Sequence, residues 1–138
     1  MVYLTRKEHF NAAHRLYVDA WPEEKNDEVF GPCSNTNFHG HNYDLWVTVK
    51  GEPDPDTGFI INAKDLGRIM KEQVTRHFDH KNLNLDVEDF GGLQPSTENF
   101  VMIIWKRLEP HLPPGVLYRV KLSETETIYA EYFGPGTS

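Results

Sequence analysis

His39-Gly40-His41 sets two imidazoles two residues apart. On a strand, residues i and i+2 project from one face, so both rings are presented together. His14 shares parity with Phe10 and Ala12 on an earlier alternating segment, which should pair antiparallel with the strand carrying the other two histidines. Three imidazoles at one end of one sheet face are the ligand set of a catalytic zinc with an open fourth position. Spacing alone leaves two other readings standing: ordinary polar residues at strand ends, or another kind of open three-histidine zinc site. Cys33, in a loop rich in Gly, Pro and Asn, precedes His39 by six residues. Its thiolate is the useful form, and a nearby metal or cation lowers a thiol pKa; the alternative is an inert loop thiol.

Asp79-His80 could act as a proton-transfer pair in which the carboxylate orients the ring. Adjacency is not a hydrogen bond, and a solvated helix end is the commoner source of such a pair. Glu124 could accept two parallel hydrogen bonds from a heterocycle with an amidine-like N–H edge, although most turn glutamates are simply solvated. Ser96-Thr97-Glu98 reads as a helix start with Ser96 as its cap. The sequence has no G-x-G-x-x-G and no Walker loop, so dinucleotide and P-loop chemistry are not indicated. Any redox step must then be internal to the substrate.

The elements that position these residues follow from hydrophobic periodicity. Val2, Leu4, Phe10, Ala12 and His14 share one parity and predict a strand running towards His14. From Tyr17 to Phe38 the chain reads as loop, with Trp21-Pro22, a charged stretch from Glu23 to Glu28, and Gly31-Pro32-Cys33-Ser34-Asn35. A second strand starts near His39 and carries Tyr43, Leu45, Val47 and Val49 on one face, with Trp46 an apolar exception on the other. Leu66, Ile69, Met70, Val74 and Phe78 predict a helix capped by Asn62. Ser96 caps a second, carrying Phe100, Val101, Ile104, Trp105 and Leu108 and stopped by Pro110, Pro113 and Pro114. Val116 to Leu122 and Ile128 to Tyr132 alternate on either side of a turn at Glu124-Thr125-Glu126. The order β-β-α-α-β-β predicts one α+β domain over 1–138: a four-stranded antiparallel sheet with two helices on one face. Such a sheet leaves two edges and one face open, which oligomers resolve by pairing edges between subunits.

Composition narrows the function classes. Fourteen basic against 21 acidic residues in 138 give a net charge of −7, against generic nucleic-acid binding, which needs a basic face. No run of about 18 apolar residues is present to span a membrane. The start, Met1-Val2-Tyr3-Leu4-Thr5-Arg6, is not a signal peptide. One cysteine rules out an internal disulfide and points to the reducing cytoplasm.

Taken in order, five stretches resemble the 6-pyruvoyl-tetrahydropterin synthase family over nearly the whole chain. They are Phe10-Asn11-Ala12-Ala13-His14-Arg15-Leu16; Phe30-Gly31-Pro32-Cys33 through His39-Gly40-His41-Asn42-Tyr43; Asp79-His80-Lys81-Asn82-Leu83; Ser96-Thr97-Glu98-Asn99; and Ser123-Glu124-Thr125. The resemblance implies the tunnelling fold, in which trimers close their sheets into a barrel and two trimers stack as a homohexamer. It implies zinc on His14, His39 and His41, Cys33 as general base, and Asp79 and His80 as its relay, contributed by a different subunit. Glu124 would anchor the pterin ring, helped by Thr97 and Glu98. The implied substrate is 7,8-dihydroneopterin triphosphate, with zinc as Lewis acid and Mg2+ a further candidate for the triphosphate. Loss of triphosphate would give 6-pyruvoyl-tetrahydropterin, a step of tetrahydrobiopterin biosynthesis. Arg15, Lys81, Arg119 and Lys121 are candidates for holding the tail.

Three positions depart from the family pattern: Phe38 where a small residue is common, Phe78 where Leu is usual, and Ser123 where Tyr is common. Phe38 could narrow the approach to the metal. The sister 6-carboxy-tetrahydropterin synthases of deazapurine biosynthesis resemble Cys-x3-His-Gly-His, whereas five residues separate Cys33 from His39. Loop length between base and metal should alter which bond is cleaved, and favours the pyruvoyl product. A non-catalytic pterin-binding homologue would not need the Cys33, Asp79 and His80 that this chain carries.

Overall fold

The computed structural model describes residues 1–136. Its first two strands, β1 (Val2–His14) and β2 (His39–Gly51), pair antiparallel along their full length, from Val2 opposite Gly51 to His14 opposite His39. Parity carries through as the sequence predicts. Phe10, Ala12 and His14 on β1 and Tyr43, Leu45 and Val47 on β2 are buried on the same face. Trp46 lies on the other face, where Lys7 and Lys121 sit over its ring at 5.1 and 4.7 Å. These cation–π contacts account for an aromatic on the polar side.

Among the described residues the sheet has five strands, not four. A two-residue strand, β3 (Lys81–Asn82), lies parallel to β1, with Ala12 opposite Lys81 and Ala13 opposite Asn82. Two residues are too few for alternation to show. The hairpin β4 (Leu117–Thr125) and β5 (Ile128–Tyr132) completes the order β3-β1-β2-β4-β5.

A second correction concerns the loop expected between Tyr17 and Phe38. It contains a helix, α1 (Glu23–Phe30), followed by a 3-10 turn (Gly31–Ser34). This helix has no apolar face for periodicity to detect; its one buried residue is Asn26. The Asn26 amide accepts from Val18 N at 2.9 Å and donates to Val18 O at 3.1 Å, so a polar side chain docks the helix.

The two predicted helices are present with the predicted caps. Asn62 Oδ1 accepts from Lys64 N at the start of α2 (Ala63–Met70), and Ser96 Oγ accepts from Asn99 N at the start of α4 (Thr97–Leu108). Between them, α2 runs through a π-helical stretch (Lys71–Thr75) into a last turn, α3 (Arg76–Phe78). Leu66, Met70, Val74, Phe78, Phe100 and Ile104 meet the buried sheet face. Phe78 packs edge-on to Phe100 at 4.9 Å.

A polar cluster ties this end together. Asp89 bonds His77 Nε2 at 2.7 Å and Arg107 Nη1 at 2.9 Å, while Arg107 Nε donates to Gln73 O within the π-helical stretch at 2.6 Å. A π register leaves a carbonyl over, and Arg107 supplies a donor. Burial pushes the Asp89 carboxyl up, but His77 and Arg107 outweigh it and hold it below its ordinary value. Asp89→Asn is therefore expected to destabilise the fold by about 1–3 kcal/mol at pH 7, read by urea unfolding. A lowered carboxyl stabilises above its unfolded pKa, so the deficit should shrink as pH falls through the folded value, below about pH 4. An equal deficit at pH 7 and pH 3 would remove the ionic contribution.

Candidate active site

The β1–β2 register delivers His14, His39 and His41 to one end of the buried face. His14 Nε2 lies 2.9 Å from His39 Nε2 and 3.1 Å from His41 Nε2, and the three ligand atoms fall within 4.8 Å of one another. His14 is fully buried, which lowers its pKa to about 4; His39 and His41 add to the lowering, and the Pro95 carbonyl opposes it. Its Nδ1 lies 2.8 Å from Pro95 O. A carbonyl can only accept, so Nδ1 carries the proton and the Nε2 lone pair faces the other rings. Burial lowers the His39 pKa too, assisted by His41 and opposed by Glu124. Converging imidazole nitrogens suit a divalent metal, and these three residues could hold one.

Glu124 enters the same space. Its Oε1 is 3.3 Å from His14 Nε2 and 3.4 Å from His41 Nε2. The β4–β5 register slips between Ser123 and Thr125, and such a bulge re-aims the side chain it carries. Cys33 is half-buried nearby: burial first and the charge of Glu124 second push its thiol up. The peptide bearing it is gripped by the residues that follow His14. Leu16 N donates to Cys33 O at 2.8 Å, and Arg15 Nε donates to Ser34 O at 2.8 Å. These surroundings hold the thiol above its ordinary value, and a cation on the histidines would draw it down.

Asp79 and His80 form a real pair but stand apart from this cluster. His80 Nδ1 lies 2.9 Å from Asp79 Oδ2, and Asp79 Oδ1 accepts from Asn11 N at 2.8 Å. The Asn11 amide is the first cause of a lowered Asp79 carboxyl; slight burial opposes it and His80 assists. His80 is 82% exposed, held at φ 58° with its own amide on Asn11 O at 2.6 Å. The pair borders a cleft of about 350 Å³ with His9, Asn11 and Asn42 at the β1 edge. Among the described residues, no hydrogen bond or ion pair joins it to Cys33. Thr97 is buried two residues after Pro95, while Glu98 is exposed.

Two features lie beyond sequence reasoning. The Pro95 carbonyl is a backbone group with no residue-type signal. Tyr43, read as core, carries a buried hydroxyl with no partner among the described residues, an arrangement costing about 1–3 kcal/mol. Phe38, flagged for its bulk, also has the left-handed φ of 65°, which favours glycine.

A family model described as 6-pyruvoyl tetrahydropterin synthase matches residues 3–135. The chain belongs to the 6-pyruvoyl tetrahydropterin synthase family. It is 47% identical over 131 residues to a 6-pyruvoyl tetrahydrobiopterin synthase of Pongo abelii, covering 95% of this chain and 90% of that one. The 6-pyruvoyl tetrahydropterin synthase structure of Caenorhabditis elegans superposes with a TM-score of 0.90 at 36% identity, covering 96% of this chain and 95% of that one. A 6-carboxy-5,6,7,8-tetrahydropterin synthase of Bacillus subtilis is 31% identical over 137 residues, 94% of this chain and 83% of that one. The tunnelling fold expected from the sequence is therefore the fold of this chain, with β3 as a fifth strand.

Proposed function

We propose that the protein is a zinc-dependent lyase that converts 7,8-dihydroneopterin triphosphate to 6-pyruvoyl-tetrahydropterin with loss of triphosphate, in tetrahydrobiopterin biosynthesis. The observation that carries this reading is the convergence of His14, His39 and His41 Nε2 atoms beside Glu124 and Cys33. When held by these three rings, zinc supplies Lewis acidity towards the hydroxyl-bearing side chain of the substrate. Cys33 Sγ, as thiolate, takes a proton from that side chain, and Asp79–His80 of a neighbouring subunit relays it. Glu124 accepts hydrogen bonds from the pterin N–H edge, with Thr97 and Glu98 completing the ring site. Elimination of triphosphate is redox-neutral, and tautomerisation then moves two hydrogens from the hydroxyl-bearing side chain into the ring, oxidising the one as it reduces the other, so no external electron carrier is needed. Mg2+ accompanies the triphosphate.

The separation of Asp79–His80 from Cys33 within one chain supports a site shared between subunits of a homohexamer built as two trimers. The single thiol and net charge of −7 fit a cytoplasmic enzyme acting on a small molecule as one domain, and no helix among the described residues is long and apolar enough to cross a membrane. The five residues between Cys33 and His39 favour the pyruvoyl product over the 6-carboxy alternative. Incubation with 7,8-dihydroneopterin triphosphate is expected to release triphosphate and 6-pyruvoyl-tetrahydropterin without acetaldehyde. Acetaldehyde with 6-carboxy-tetrahydropterin would overturn the product assignment, and no turnover would overturn the enzyme reading.

A further inference from the structure

We propose that Tyr43 is a positioning residue: its hydroxyl donates a hydrogen bond to the Glu124 carboxylate when the three histidines hold a metal ion and Glu124 faces the pterin ring. This deepens the ring-anchoring role of Glu124 and rests on it. The Tyr43 ring is fully committed to the core. It stacks on Phe10 at 5.2 Å with an interplanar angle of 13°, and meets Phe100 and His41 edge-on at 5.3 and 5.9 Å. Hydrocarbon contacts of that kind would be served as well by phenylalanine. The added oxygen is buried and unpartnered among the described residues, a destabilising arrangement unless an acceptor comes within reach.

The sheet identifies that acceptor. Leu45 pairs with Leu122 and Asp44 with Ser123, so the next residues of the two strands are Tyr43 and Glu124. Opposed residues of antiparallel strands place their Cβ atoms about 4.5–5.5 Å apart on one face, within reach of an aromatic side chain. A phenol carries its proton at neutral pH and can donate it to a carboxylate.

Glu124 shares its space with the histidine nitrogens that would hold the metal. His14 bonds Pro95 O through Nδ1, so its Nε2 presents a lone pair, and His41 Nε2 lies 3.1 Å from that nitrogen and 3.4 Å from Glu124 Oε1. An imidazole nitrogen that ligates a metal carries no proton. Histidines that hold a metal therefore offer Glu124 no donor through Nε2. Tyr43 is the buried donor one cross-strand step away, and the bond it makes fixes the carboxylate that must meet the ring.

Tyr43→Phe removes one oxygen and keeps the packing. In the zinc-loaded full-length protein it is expected to leave zinc content and melting temperature unlowered, while weakening binding of unsubstituted pterin about tenfold, as for loss of a bond to a charged group. The same change in a Glu124→Gln background should shift pterin affinity by less than about twofold, since residues acting as one unit are not additive. A lowered melting temperature with unchanged pterin affinity would overturn the proposal, as would additive losses in the double variant. Failure of the zinc-loaded wild type to bind pterin would overturn the ring-anchoring reading itself. Tight wild-type binding that Tyr43→Phe leaves unaltered would overturn the Tyr43 assignment alone.

Discussion

Cys33→Ala is expected to lower kcat by about a thousandfold while leaving zinc content and pterin affinity at wild-type values. A positioned general base contributes about 10²–10⁴ in rate, and Cys33 supplies the one thiol of the chain. The contacts that hold the loop are spared, because Leu16 N bonds the Cys33 carbonyl and Arg15 bonds the Ser34 carbonyl. A loss of rate is then a loss of chemistry rather than of shape. The pH profile adds a second reading. Burial and Glu124 raise the thiol, so its titration should move to lower pH when zinc occupies the histidines, and the ascending limb of the zinc-loaded enzyme's profile should lie at that lowered position. Zinc titration against thiol alkylation rate measures the same shift without turnover. Cys33→Ala turning over at the wild-type rate would remove it as the base.

The parts legible in the sequence were those written in side-chain type at fixed spacing. His39-Gly40-His41 and the parity of Phe10, Ala12 and His14 placed three rings together because a strand's period of two is rigid, and the register of β1 on β2 followed from it. Asn62 and Ser96 marked helix starts because their side chains compete for free backbone amides. The illegible parts were those made by backbone or by polar docking. Helix α1 is fastened through Asn26 rather than an apolar stripe, and β3 is held by backbone bonds such as Leu83 N to Ala13 O. The His14 tautomer is set by the carbonyl of Pro95, 81 residues away in sequence. Tyr43 shows how a correct core reading can hide a function. Its ring belongs to the alternating apolar set, and only the unpaired oxygen sets it apart from a phenylalanine.

His14→Ala should abolish zinc retention, leaving less than about a tenth of one equivalent per chain after dialysis, because a three-ligand site that loses one imidazole keeps too few donors to hold the ion. His39→Ala and His41→Ala should lose zinc as well, but His14→Ala should do more. His14 is the buried member, bonded to Pro95 ahead of α4, so its loss also frees that connection. Zinc that binds only the folded chain stabilises it by roughly 4 kcal/mol at a thousand times its Kd, so chelation should lower the wild-type melting temperature and leave His14→Ala unmoved. The metal-free wild type should also be acid-sensitive in a defined window. The His14 pKa is about 4 when folded and 6.5 in the ordinary ring, so the unfolded chain binds the proton first as pH falls. Stability from the neutral ring is complete above pH 6.5 and is lost progressively down to about pH 4, on the order of 3 kcal/mol in total. Urea unfolding of metal-free wild type and His14→Ala at pH 7.5 and pH 4.5 isolates this contribution. The two proteins losing stability in parallel would mean that His14 does not carry it, and full zinc in any single histidine variant would remove that residue from the metal site.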